Sequence, residues 1–140
     1  MASGAAVNDE CIALYDAQLK LGKKLRYIVF KLNDTNTEIV VDKSAPSSAS
    51  YEDFRKDLPA DQCRYAVFDL EFTVDGNPRN KLVFILWAPD NSKIKQKMLY
   101  TSSKAEFRKR LVGIGAEIQA TDASEIDLET VTEKASRTTQ

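Results

Sequence analysis

The chain has 140 residues and a mass of 15.7 kDa, the size of one domain, and its 43% apolar and 29% charged residues are those of an ordinary globular protein. It carries a net charge of -1 and no histidine. That excludes Ser-His-Asp and Cys-His catalysis, imidazole zinc sites and a histidine pH switch. Cys11 and Cys63 form no CxxC pair, so neither a metal site nor a redox motif is expected. Residues 1–10 lack the basic flank and apolar core of a secretory signal, and Ala2 stands where myristoylation requires glycine. The longest apolar run, 82–88, is too short to span a bilayer. A single domain over 1–140 in the cytosol or nucleus is expected.

Residues 1–6 are small and polar and read as a mobile tail. Asn8 or Asp9 can cap a helix in which Cys11, Tyr15 and Leu19 recur every four residues, widened by Ile12 and Leu14 and ended by Gly22. The β-branched and aromatic runs 26–32 and 37–42 flank a four-residue loop and predict a hairpin. Residues 44–50 form a Ser/Ala/Pro loop. A short helix follows over 51–58, with Tyr51, Phe54 and Leu58 on one side and Pro59 as its stop.

Phe68, Leu70, Phe72 and Val74 alternate with Val67, Asp69, Glu71 and Thr73, which predicts a strand with one wet face. Asp69 and Glu71 share that face; strands of this kind routinely carry charges there, so the pair reads as solvated rather than as an acid/base couple. Residues 75–78 turn the chain, and the unalternating run 82–87 predicts a central strand buried on both faces. Pro89-Asp90 breaks it. A basic segment then runs through Ile94, Met98 and Tyr100 to Thr101-Ser102-Ser103, which offer N-caps for a helix from 104 to about 115. Phe107, Leu111, Ile114 and Ile118 make its buried stripe, and Ala105, Lys109, Val112 and Ala116, with Arg108 on the edge, its outer face. An edge strand over 118–121 and a last helix capped by Asp127 and using Leu128, Val131 and Ala135 complete the series, with 136–140 fraying. The interleaving predicts an α/β (α+β) protein with a mixed sheet covered by helices on both faces.

The charge is unevenly distributed. From 79 to 110 there are nine Lys/Arg against Asp90 and Glu106, a local balance of +7. Such a block is the footprint of an anionic partner: nucleic acid, an anionic lipid headgroup or an acidic protein surface. Small apolar residues studded with cations on the outer face of the 104–115 helix suit docking better than solvation. No GxGxxG, GxxxxGK[ST], HExxH or DxDxDG motif is present, so nucleotide and metal chemistry have no carrier and no cofactor is expected.

The segments LKLGKKLRYIVFKLND (19–34), DLPADQCRYAVFDLEF and KLVFILWAPDNSKIKQKMLYTSSKAEFRKRL resemble the actin-depolymerising factor/cofilin family, most closely its fungal members. The resemblance runs from about residue 3 to 137, and its W-x-P-D…K-M-x-Y-x-S-S-K signature from Trp87 to Lys104 is long and specific. It implies the actin-depolymerising homology fold, and a non-enzymatic protein that binds monomeric and filamentous actin, prefers ADP-bound subunits, and severs and depolymerises filaments. Its partner is then actin rather than nucleic acid, with anionic phosphoinositides as a second ligand of the same basic block. It further implies a monomer at the cytoplasmic actin cytoskeleton, with the nuclear matrix as a second location. A phosphoinositide-responsive membrane-surface protein and a same-fold regulator of actin-branching complexes are the alternatives.

Matched residue by residue, the resemblance implies a surface for monomers and filaments formed by Ser3, Gly4, Lys95, Lys97, Met98, Arg108 and Lys109. A second surface, for filaments, comprises Arg79, Lys81, Glu133, Lys134 and Arg137. Ser3 is a phosphorylation candidate whose phosphate would repel an acidic partner. Ala105 stands where many members have an acidic residue.

Overall fold

The computed structural model describes residues 5–137. Its centre is a six-stranded mixed sheet in the order β1-β3-β2-β4-β5-β6. The strands are β1 (Ala6–Val7), β2 (Leu25–Leu32), β3 (Glu38–Pro46), β4 (Arg64–Val74), β5 (Asn77–Trp87) and β6 (Ala116–Ala120). The edge strands β1 and β6 run parallel to their neighbours β3 and β5, while the inner pairs are antiparallel. The helices are α1 (Asp9–Leu14), which continues as a π-helix over Tyr15–Leu21, then α2 (Tyr51–Lys56), α3 (Ile94–Arg110), a 3-10 turn (Ala123–Ile126) and α4 (Leu128–Arg137).

Two apolar layers sandwich the sheet. On one face Tyr27, Val29, Phe68, Val83, Ile85 and Trp87 meet Tyr51, Phe54 and Leu58 of the α2 region and Val131 and Ala135 of α4. On the other, Ile28, Phe30, Tyr65, Val67, Phe84 and Leu86 meet Cys11, Tyr15 and Leu19 of the first helix and Tyr100 and Phe107 of α3. The unalternating run 82–87 is buried on both faces, as its composition requires.

Asn8 caps α1 through its side chain, which accepts from the Glu10 N–H. The four-residue spacing of Cys11, Tyr15 and Leu19 hid the switch to a π-helix. Four residues overshoot one α-turn by about 40° and fall short of one π-turn, so the two errors cancel and all three side chains stay on one face. Gly22 follows with ordinary helical dihedrals, and Lys23 takes the left-handed conformation at φ 56°. Ala6, expected in the tail, instead pairs with Glu38 in β1. Ser136 and Arg137, expected to fray, are the last residues of α4.

Four further expectations are corrected. β3 runs on to Pro46 instead of yielding to a loop at 44; β1 borders it only at Glu38 and Ile39, so Pro46 interrupts no ladder. The turn between β4 and β5 has two residues, Asp75 and Gly76, at φ 52° and 80°, and Asn77 and Pro78 already pair with Val74 and Thr73. β4 is buried on both faces from Tyr65 to Leu70, and Asp69 lies inside at 7% exposure, accepting from Asn80 Nδ2 at 3.2 Å with Lys23 Nζ at 3.7 Å. Glu71 is exposed.

The fourth concerns α3, which begins at Ile94 rather than 104. Lys93 takes the N-cap position without a side-chain bond, so Thr101-Ser102-Ser103 lie mid-helix. The basic stretch 94–99 is made of good helix formers, and Tyr100, Ser103 and Phe107 follow at helical spacing on the buried side. The Tyr100 hydroxyl accepts the Leu32 N–H at 2.9 Å, and the Tyr65 hydroxyl donates to the Tyr100 carbonyl. The helix stops at Arg110, and Gly113 at φ 101° redirects the chain. Ala116 and Ile118 thereby leave the expected helical stripe for β6, which contains Ile118 as the expected edge strand did but starts two residues earlier; they pair with Val83 and Ile85 and are buried on the α4 side of the sheet.

Candidate functional site

α3 buries one ridge and exposes another that is also apolar. At about 100° per residue, Ile94, Met98, Thr101, Ala105 and Lys109 fall within about 80° of one another, directly opposite Tyr100, Ser103 and Phe107. Ile94 is 74% and Met98 67% exposed, and with Lys95, Leu99 and Ser102 they line a shallow apolar hollow. Two large exposed apolar side chains one helical turn apart are what a docking surface needs and a solvated helix does not. Cations rim the ridge. Lys95 is exposed, Lys97 donates to the Asp90 carbonyl at 2.8 Å, and the Lys109 ammonium lies 3.9 Å from Glu106. The helix thus brings Lys95, Lys97, Met98, Arg108 and Lys109 onto one element, although the first three were expected in a segment before it.

Arg108 is held more tightly than the sequence suggests. Its Nε is shielded from solvent, 3.3 Å from Glu117 Oε1 but not aligned as a hydrogen bond. Lys104 Nζ meets the other oxygen of the same carboxylate at 2.9 Å. Glu117 on edge strand β6 is thus a functional candidate that the sequence reading missed, as are Lys104 and Ile94. The alternation Ala116-Glu117-Ile118-Gln119-Ala120 carries the signal, since it turns Glu117 away from the α4 side and towards α3.

Ser3 and Gly4 lie outside the described residues. The first described residue, Ala5, donates its N–H to Ser103 Oγ of α3 at 3.0 Å, and Asp9 Oδ1 lies 3.4 Å from Arg110. The segment from Ala5 to Asp9 is therefore fastened along the same helix.

The second set assembles on the other side of the molecule. The Lys81 ammonium on β5 donates to the Ala135 carbonyl at 2.8 Å, joining the strand that carries Arg79 and Lys81 to the helix that carries Glu133, Lys134 and Arg137. Ala135 belongs to the last turn of α4, where the helix dipole favours a positive charge, so this bond sets a cation on the helix end. Burial lowers the Lys81 pKa from its ordinary value. A Cβ on Gly115 would stand 2.4 Å from Lys81 Cγ, so a glycine is needed where the stem passes. Arg79, Glu133 and Lys134 are exposed, and Arg137 pairs with Glu133.

Neither cysteine adds chemistry. Burial pushes the Cys11 thiol up to about 12 and raises Cys63 as well, so neither is a ready nucleophile. A cleft of about 550 Å³ bounded by Leu58, Trp87, Asp122 and Ile126 holds none of the expected binding residues.

Residues 4–136 match the family model described as "Cofilin/tropomyosin-type actin-binding protein", a description of binding and not of catalysis. The chain is 53% identical to actophorin of Acanthamoeba castellanii over 135 residues, covering 96% of this chain and 97% of that protein. It is 51% identical to cofilin of the fungus Mycosarcoma maydis, covering 99% of each. Among solved structures, that of a cofilin of Streptomyces griseoflavus superposes with a TM-score of 0.89 at 55% identity, covering 96% of this chain and 98% of that one. The mixed sheet, the apolar-and-basic outer face of α3 and full-length matches to proteins of this kind agree, and the chain belongs to the cofilin/actin-depolymerising factor family.

Proposed function

We propose that this protein binds actin monomers and filaments, prefers ADP-bound subunits, and severs and depolymerises filaments at the cytoplasmic actin cytoskeleton. The observation that carries this reading is the exposed apolar ridge of α3, Ile94, Met98 and Ala105, rimmed by Lys95, Arg108 and Lys109. A helix of this kind seats its apolar residues in a hydrophobic cleft of the partner, while its cations meet acidic groups and speed encounter. Ser3 and Gly4 extend this surface. Ser3 is two residues from Ala5, at most about 7 Å of chain, so a phosphate there would add roughly -1.5 to -2 charge near α3 and oppose an acidic partner.

Arg79, Lys81, Glu133, Lys134 and Arg137 form the filament-specific surface, which lies away from α3. Binding both an actin subunit and its filament neighbour shifts the filament between conformations only in proportion to the difference in affinity for them. The protein acts as a monomer. Its basic α3 face also accepts anionic phosphoinositides, which would compete with actin, and a fraction of the protein works in the nuclear matrix.

The test is co-sedimentation with filamentous actin, together with filament lengths by fluorescence microscopy. The protein should pellet with filaments and shorten them; a protein that stays in the supernatant and leaves lengths unchanged contradicts the proposal.

A further inference from the structure

Arg108 is a cation of the proposed actin surface on α3 that a carboxylate of the neighbouring strand approaches. Its Nε is shielded from solvent and has no hydrogen-bond partner among the described residues, and the nearest anion is Glu117 Oε1 at 3.3 Å. Lys104 Nζ lies 2.9 Å from the second oxygen of the same carboxylate. Glu117 stands opposite Phe84 in the register of β5 and β6, and the Phe84 ring packs edge-on against Phe107 of α3. The carboxylate is therefore carried on the sheet beside the α3 helix, one residue along from Phe107, and not on a loop.

We propose that Glu117 is a positioning residue for actin binding: it holds Arg108 by the Nε side and leaves the terminal Nη1/Nη2 fork to receive a carboxylate of the partner. This rests on the reading that Arg108 contacts actin. An arginine has two edges for a carboxylate, and its planar fork gives geometric specificity when a bidentate partner meets the free one. A long side chain left to itself samples many rotamers and loses that freedom on docking, at a cost to affinity. An intramolecular carboxylate that has already selected the rotamer removes part of this cost. Lys104 keeps the cluster at a net charge of +1, so Glu117 orients Arg108 without cancelling the attraction to an acidic surface.

The sign of the effect separates positioning from simple charge. Removing Glu117 makes the protein more positive, which by steering alone should raise the association rate and tighten binding to an acidic partner. Positioning requires the opposite. Glu117→Ala should weaken binding to monomeric ADP-actin about five- to tenfold, through faster dissociation at an equal or higher association rate. The measurement is stopped-flow binding to fluorescently labelled monomers, with Glu117→Gln as an isosteric second variant expected to lose affinity in the same direction. On an Arg108→Ala background, Glu117→Ala should cost nothing further, whereas damage to the fold would persist there. Equal or tighter binding by both Glu117 variants, or an undiminished loss on the Arg108→Ala background, overturns the proposal. If Arg108→Ala itself binds like wild type, it is the assignment of Arg108 to the actin surface that fails.

Discussion

Lys81 offers a case in which a residue of the proposed filament surface also holds the fold together, and the two roles can be measured apart. Lys81→Met keeps the aliphatic stem that passes Gly115 and removes only the ammonium that caps Ala135. A hydrogen bond from a charged donor contributes about 1.5–3 kcal/mol. The Lys81 side chain is only partly buried, and its burial disfavours the charged form, as the lowered pKa indicates. Those two facts reduce the expected loss to about 1 kcal/mol. For a chain of this length that lowers Tm by roughly 3–4 °C. Exposed Arg79, changed to Ala, should stay within about 0.5 kcal/mol of wild type in the same urea or thermal unfolding experiment. Both variants should lose filament binding. Equal stability of Lys81→Met and Arg79→Ala would refute the capping role.

Removing charge at Lys134 and Arg137, both on the α4 end, should weaken filament pelleting and severing while leaving monomer affinity unchanged; parallel loss of both would contradict the division into two surfaces. Ser50→Ala removes one half of a capping box, in which Ser50 Oγ accepts the Asp53 N–H at 3.1 Å and Asp53 returns a bond to the Ser50 N–H at 3.0 Å. It should cost about 1 kcal/mol of stability in urea unfolding without changing actin affinity. Alkaline pH should destabilise the fold: burial raises Cys11 from 9.0 and Tyr15 from 10.0, each to about 12, so these groups stay protonated in the fold where the unfolded chain ionises. Their contribution is complete below about pH 9 and is lost as pH rises towards 12, which stability curves across that range will read. Between about pH 6.5 and 7.5 the N-terminally acetylated, unphosphorylated protein should take up or release far less than one proton in a potentiometric titration.

The inner strands, most of the helices and the buried character of 82–87 were legible because apolar periodicity and turn residues report packing directly. The pairing of β1, the second buried face of β4, the start of α3 and the π-helical turn were not. The start of α3 was misplaced because Thr101-Ser102-Ser103 resemble a cap, whereas Ser103 is buried and spends its hydroxyl on Ala5. Side-chain type alone does not say whether a serine serves its own helix or another segment. Extending one helical period past Gly113 then carried Ala116 onto the wrong element and counted Ile118 with the helix as well as with the edge strand over 118–121, where β6 does lie. The π-helical turn was hidden because the four-residue spacing fits both helices. At the candidate site, the motif singled out Lys95 and Met98, and spacing put Lys109, though not those two, on the outer face of the helix. The grips on Arg108 and Lys81 could not, since Glu117 and Ala135 are separated from them by strand pairing and helix packing that no local pattern encodes.

The central claim is that the outer ridge of α3 is where actin docks. Met98 and Lys109 test it most cleanly, because their side chains are 67% and 77% exposed and neither contributes to the buried ridge. The measurement is the affinity of the Met98→Ala, Lys109→Ala double variant for ADP-actin monomers, by fluorescence competition against wild type, with Tm recorded alongside. The account predicts a loss of at least about 2 kcal/mol, some thirtyfold, at unchanged Tm. Wild-type affinity in the double variant would contradict it.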